Sequence, residues 1–171
     1  MTDPIRNAIA AAKGIQADVD NLLGPPEEGL KAAKRHVLTT LVKGTRGYIE
    51  KIANQATGSY QNGWYDCAAV MIRRLLETLI IEAFEKHQID HKIKNSSGDF
   101  FYLRDLIELT LKETAWNLGR NARHALPTLK DLGDKSAHSR RYNAVRGDID
   151  PHLTNIRTVV EELLYISGLR K

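Results

Sequence analysis

The stretch from Asn62 to Gln88, NGWYDCAAVMIRRLLETLIIEAFEKHQ, constrains the fold more than any other, because it is apolar over too much of its circumference for an ordinary surface helix. At about 100° per residue, Ala68, Ile72, Leu75, Leu76, Leu79, Ile80 and Ala83 fall on one broad stripe. Val70, Ile81 and Phe84 lie outside it or at its edge, and they bracket Arg73 and Glu77, which stand one turn apart on a second seam. A helix with a wide apolar face and a second, partly apolar seam belongs at the centre of a bundle or against a partner. A two-fold dimer is one way to cover the second seam. Arg73 and Glu77 then need a reason to be there, and the simplest is an ion pair within the helix at the edge of the core.

Residues 4 to 23 place Ile5, Ile9, Ala12, Ala17, Val19, Leu22 and Leu23 in a loosely helical pattern weakened by Gly14, which predicts a short or marginally packed helix. Gly24, Pro25 and Pro26 mark a stop and restart. Leu30, Ala33, Val37, Leu38, Leu41 and Val42 predict a helix over 27–43, and Tyr48, Ile49, Ile52 and Ala53 resume the pattern, so one long helix to about residue 56 is expected despite Gly44 and Gly47. TGSYQNG, 57–63, reads as a turn, with Asn62 or Asp66 capping the organising helix, which should end near His87. Ser96, Ser97, Gly98 and Asp99 lead into a helix carrying Phe101, Leu103, Leu106, Ile107, Leu109 and Leu111, with Trp116 as a core anchor beyond it.

Pro127 either starts the next helix or bends one already under way. Leu129, Leu132 and Ala137 supply its buried side, while Lys130, Asp134 and His138 share a polar face at intervals of four. SRRYNAVRGD, 139–148, is the last sizeable loop, and Asp150 followed by Pro151 opens a closing helix through Leu153, Ile156, Val160, Leu163 and Leu164 that Gly168 ends. No segment alternates as a strand does. The expected architecture is an all-α helical bundle of about five to six helices, with an N-terminal helical extension over 1–58 and the bundle over 59–171.

The charge distribution bears on partners. From Arg120 to Arg146 the chain carries Arg120, Arg123, Lys130, Lys135, Arg140, Arg141 and Arg146 against Asp131 and Asp134, a net +5 in 27 residues where the whole chain is only +4. Such a stretch can attract RNA or another polyanion, with Arg120, Arg123, Lys135, Arg140, Arg141 and Arg146 as candidate contacts. The single cysteine, Cys67, excludes an internal disulfide and a multi-cysteine metal cluster, and a packed thiol is its expected state. The opening residues lack a secretory apolar core and nowhere do 18 apolar residues run together, so a cytoplasmic protein without a membrane span is expected.

His138 is the sharpest chemical candidate. It stands near a helix end beside Ser139, Arg140 and Arg141 with Asp134 one turn back, where an imidazole can serve as general acid or base or can cap the helix C-terminus. Across a bundle core Glu77 can accept from His138 or pair with Arg74 or Lys130. His87, Asp90 and His91 have a loosely metal-like look, but they lie among Lys86, Lys92 and Lys94, so no metal is expected. His124, four residues after Arg120, marks an anion site or plain surface. Neither a G-x-x-x-x-G-K-[ST] nor a G-x-G-x-x-G loop is present, and no cofactor is expected.

The run AAVMIRRLLETLI, followed by LKDLGDKSAH and by a final helix opening at DIDP, resembles a small helical domain of the HEPN superfamily, which occurs in bacterial proteins alone or attached to restriction-type and other defence enzymes. The resemblance covers roughly residues 60 to 168. Its most specific parts are an RR-x-LE pattern, here Arg73, Arg74, Leu76 and Glu77, and a G-N-x-A-A-H pattern, here Gly133, Asp134, Lys135, Ser136, Ala137 and His138. Ribonucleases of that superfamily pair an arginine and a histidine across a dimer to assist attack by an RNA 2'-hydroxyl without metal. In this chain His138 falls on the histidine, Lys130 stands where arginine is usual, and Asp134 replaces asparagine. Lysine neutralises a phosphate without gripping it in a planar fork, and the added carboxylate repels it. Arg120, Asn121 and His124 imitate the same motif one residue short.

The resemblance thus implies a homodimeric module that binds nucleic acid or nucleotide in a defence or stress response, with a protein of a defence system as a further partner. One alternative is a metal-independent ribonuclease working through His138 with Lys130, Asp134, Glu77 and Arg74. Another is a non-catalytic protein-interaction module.

Overall fold

The organising segment folds as one continuous 22-residue helix, Tyr65–Lys86. The computed structural model describes residues 3–22 and 37–170. Its helices in chain order are α1 (Pro4–Leu22), α2 (Val37–Val42), α3 (Gly47–Gln61), α4 (Tyr65–Lys86), α5 (Leu103–Lys112), α6 (Arg120–His138), the single turn α7 (Arg146–Ile149) and α8 (Leu153–Ile166). Tighter 3-10 turns at Asp90–Ile93 and Asp150–His152 lie in the connections. Among the described residues there is no strand, only a lone antiparallel bridge between Lys94 and Phe100. The protein is an all-α helical bundle.

All seven stripe residues of α4 are buried. They are enclosed by α3, α6 and α8, with α5 against one end. Phe84 is fully buried and meets Trp116 edge to face at a centroid distance of 4.9 Å, and Ile81 packs on the core. The second seam is therefore covered in part from within the chain, and Trp116 is the anchor its composition suggested.

The long helix expected through residue 56 is broken, its first part (27–36) lying outside the described residues. α2 stops at Val42, Gly44 takes a left-handed φ of +82°, and α3 starts at Gly47. A continuous helix would direct the two segments along one axis. The break lets Leu38, Leu41 and Val42 enter the same core as Ile49, Ile52, Ala53 and Ala56. The turn expected at 57–63 shrinks to its last residues, because Thr57, Ser59 and Tyr60 are buried on the last turns of α3 and burial overrides their turn propensity. The boundary expected after residue 58 falls inside α3, and residues on both sides of it share one hydrophobic cluster.

The expected caps are engaged elsewhere. Trp64 precedes α4 with no side-chain cap, Asn62 Nδ2 donates to the Gly58 carbonyl at 2.8 Å, and the Asp66 carboxylate accepts from the Ala144 amide at 3.0 Å. Ser96 to Asp99 form a turn closed by Asn95, whose Oδ1 accepts from the amides of Ser97 and Asp99, and α5 starts only after Tyr102. Asp150 is bonded by the Tyr60 hydroxyl and by Arg146 instead of capping α8. Pro127 lies inside α6, in a helix already under way. Ala137 is exposed, not buried, because the last turn of α6 has left the core and residues 137–141 are all exposed.

Glu82, flanking the α4 stripe, is 4% exposed. It accepts from the Tyr48 hydroxyl and pairs with Arg46 at 3.2 Å, tying the start of α3 to α4, while burial pushes its carboxyl up.

The α4–α6 contact depends on one missing side chain. A Cβ at Gly133 would lie 2.5 Å from Arg73 Cβ and 3.1 Å from the Ala69 carbonyl. Alanine favours a helix by about 1 kcal/mol over glycine, yet overpacking here costs about 1–3 kcal/mol. Gly133→Ala is therefore expected to lower the urea midpoint, whereas an increase would show that the helices separate freely at this crossing.

Candidate functional site: a polar crossing and a divided basic surface

Because Gly133 lets α4 approach α6, the Arg73 side chain reaches across to the next residue of α6. Arg73 Nε donates to Asp134 Oδ1 at 2.7 Å, and Arg73 Nη1 lies 3.6 Å from Glu77 Oε2. Lys130 Nζ donates to Asp134 Oδ2 at 2.6 Å and to Asp131 Oδ1 at 3.1 Å. The four side chains at the crossing itself are 18–31% exposed, mostly withdrawn from water. Burial pushes the Asp134 carboxyl up, but the hydrogen bonds from Lys130 and Arg73 outweigh it and hold the group below the ordinary aspartate value. The Asp134 hydrogen bond in turn raises Lys130 above the ordinary lysine value. Two cations face three carboxylates, so this cluster is not an anion cradle.

Of the candidate catalytic residues, Lys130 and Asp134 meet directly, and Glu77 joins them through Arg73 without touching Lys130 or Arg74. His138 is exposed at the end of α6. Among the described residues no hydrogen bond or ion pair reaches its ring. Asp134 bonds Arg73 and Lys130 and not His138, and the last turn of α6 is closed by the Ser139 amide on the Lys135 carbonyl. Arg74 points away from α6, about 100° round the helix from Arg73, and is exposed without an ion pair among the described residues. Arg73 is the residue that assembles the crossing. Its position on the second seam beside Glu77 was the available signal, and its longer reach to Asp134 was not readable from spacing.

The basic residues divide into engaged and open ones. Lys130 is neutralised by Asp134 and Asp131, and Arg146 pairs with Asp150 at 3.2 Å. Arg120, Arg123 and His124 line an open cleft with Leu111, Asn117, Leu118 and Gly119. There Arg123 donates to the Leu111 carbonyl at 2.8 Å and Glu162 accepts from the Gly119 amide at 2.7 Å, so a carboxylate already serves the start of α6. Lys135, Arg140 and Arg141 are exposed at the opposite end with no ion pair among the described residues. At about 1.5 Å per residue, Arg120 and Lys135 are about 22 Å apart along α6. Asp131, 65% exposed, lies between them.

His87 Nε2 lies 3.2 Å from the Ile166 carbonyl and its ring packs by Trp116, while Asp90 pairs with Lys94. Among the described residues no group of three or more His, Cys, Asp or Glu could hold a metal, and no helix is long and apolar enough to cross a membrane. Cys67 is exposed, contrary to the expected packed thiol, because it lies on the outer side of the first turn of α4, where Ser59 Oγ donates to its sulfur at 3.1 Å. The chain matches no protein-family model, no curated protein and no solved structure.

Asp134→Ala strands Arg73 and Lys130 and is expected to cost about 1–2 kcal/mol in chemical denaturation. His138→Ala, by contrast, should stay within about 0.5 kcal/mol of wild type. Because Asp134 is held below its unfolded value, near 3.9, its stabilisation is present above that pH and is lost as pH falls through the depressed folded value. The gap between wild type and Asp134→Ala should therefore close on acidification. A gap that is constant with pH would show that the carboxylate contributes shape and not charge.

Proposed function

We propose that this protein is a nucleic-acid-binding helical module, with RNA as the preferred polyanion, allied to the HEPN-like domains that residues 60–168 resemble and acting in a defence or stress setting. The observation that carries this reading is the group Lys135, Arg140 and Arg141 at the end of α6, exposed and lacking a carboxylate partner among the described residues. Cations held together without counter-charge repel one another, and a phosphate chain relieves that repulsion. Arg120 and Arg123 provide a second anchor. The separation of about 22 Å suits a polymer with several phosphates better than a mononucleotide. Asp131 between the anchors favours contact at the two ends of α6 over continuous contact along it.

Binding is favoured over cleavage. A metal-independent ribonuclease working through His138 needs an oriented imidazole, but no group among the described residues orients the ring, and Lys130, at the position of the expected arginine, is engaged by Asp134.

Fluorescence anisotropy on single-stranded RNA tests the reading. Five phosphate contacts predict that log K falls with log salt at a slope of about −3.5, and Lys135→Gln with Arg140→Gln and Arg141→Gln should reduce that slope by about 2. Affinity that is flat with salt would sink phosphate-dominated binding. Metal-free cleavage abolished by His138→Ala would replace it with the ribonuclease reading.

A further inference from the structure

The amide that Asp66 serves belongs to the segment that carries Arg140 and Arg141. Between α6 and α7 the chain runs without regular structure over 139–145, and Arg140 and Arg141 are fully on the outside. Among the described residues no backbone hydrogen bond holds 140–143. The segment is fixed just beyond the two arginines instead. Ala144 is 2% exposed, and its amide donates at 3.0 Å to Asp66 Oδ1, 78 positions earlier in the first turn of α4. The Tyr142 ring packs on the core, and burial with a hydrogen bond to Asp148 pushes its hydroxyl up to about 12. Asp148 Oδ2 also accepts from the Val145 amide at 2.9 Å. Both Asp148 bonds close within 142–148, so Asp66 is the group that ties this segment to α4.

Charge alone gives Asp66 the wrong sign for a surface that attracts a polyanion. A carboxylate near Arg140 and Arg141 lowers the positive potential and opposes an incoming phosphate. In the first turn of α4 the same carboxylate is favoured by the helix dipole, but that role does not require the Ala144 amide. What the hydrogen bond adds is position. Ala144 follows Arg141 by three residues, at most ~11 Å along the chain, so fixing it leaves the two arginines a short arc. A segment ordered in the free protein does not lose that conformational entropy again when a ligand binds.

We propose that Asp66 is a positioning residue for the basic surface: by accepting from the Ala144 amide it holds Arg140 and Arg141 in place to receive phosphate, without touching the ligand itself. The role rests on the nucleic-acid reading above, whereas the tether is measurable without nucleic acid.

Asp66→Ala and Asp66→Asn separate position from charge, because both remove the negative charge and only asparagine keeps an oxygen that can accept from the amide. On single-stranded RNA, Asp66→Ala should bind at least about threefold more weakly than wild type, with the salt slope unchanged. Asp66→Asn should bind as tightly as wild type or more tightly. A purely electrostatic role predicts tighter binding in both variants, and that result would overturn the proposal. Without RNA, trypsin should cut after Arg140 and Arg141 faster in Asp66→Ala than in wild type or Asp66→Asn. Equal cutting in all three would overturn the tether whether or not RNA binds. Faster cutting in Asp66→Ala beside a wild type that does not bind RNA would sink the nucleic-acid reading, and the positioning role with it. Should Asp66→Ala lack the wild-type melting transition, hydrogen exchange of the Ala144 amide in wild type takes its place: slow exchange is expected, and exchange at the rate of a free amide would overturn the tether.

Discussion

The close approach of α4 and α6 at Gly133 is the constraint on which the polar part of this structure depends. With no Cβ at 133, the Arg73 stem and the Ala69 carbonyl lie where a side chain would otherwise stand. Close packing there places Asp134, the next residue, within 2.7 Å of the Arg73 guanidinium. An apolar contact and an ion pair thus support each other. The contact withdraws the charges from water and strengthens their attraction, and the attraction resists separation of the helices.

The same geometry decides which charges remain available. Seven basic residues between 120 and 146 look like one patch in the sequence. In the fold Lys130 is drawn into the crossing, Arg146 is held by Asp150, and Arg123 is fastened by one nitrogen to the end of α5. What is left stands at the two ends of α6, separated by an exposed aspartate. A helix divides a charge run in this way because its face repeats every three to four residues, and neighbours on that face can neutralise each other.

The seven stripe residues of α4 were legible from helical spacing and are all buried, whereas Tyr65, Ala69, Glu82 and Phe84 are buried as well and were not among them. The break after Val42 was not legible, because Tyr48, Ile49, Ile52 and Ala53 resume with helical spacing and periodicity alone does not register a change of axis. Asn62, Asp66 and Asp150 were recognised as short polar side chains near helix starts. Asn62 turns back to the nearby Gly58 carbonyl, whereas the partners of Asp66 and Asp150 depended on Ala144 and Tyr60, far away in the chain. The pairing of Arg73 with Glu77 follows from spacing, whereas Arg73 with Asp134 spans 61 positions.

The sequence by itself determined that the chain is all helical, where its central helix lies and which face of it is buried, because these follow from local periodicity and the apolar content of single segments. Only the tertiary structure decided that Asp134 belongs to Arg73 and Lys130 and not to His138, and that Glu82 is buried against Arg46 and Tyr48. Those outcomes depend on which helices meet and at what distance. Helix crossings are set by the fit of small and large side chains summed over the whole core, a quantity that no single stretch of sequence contains.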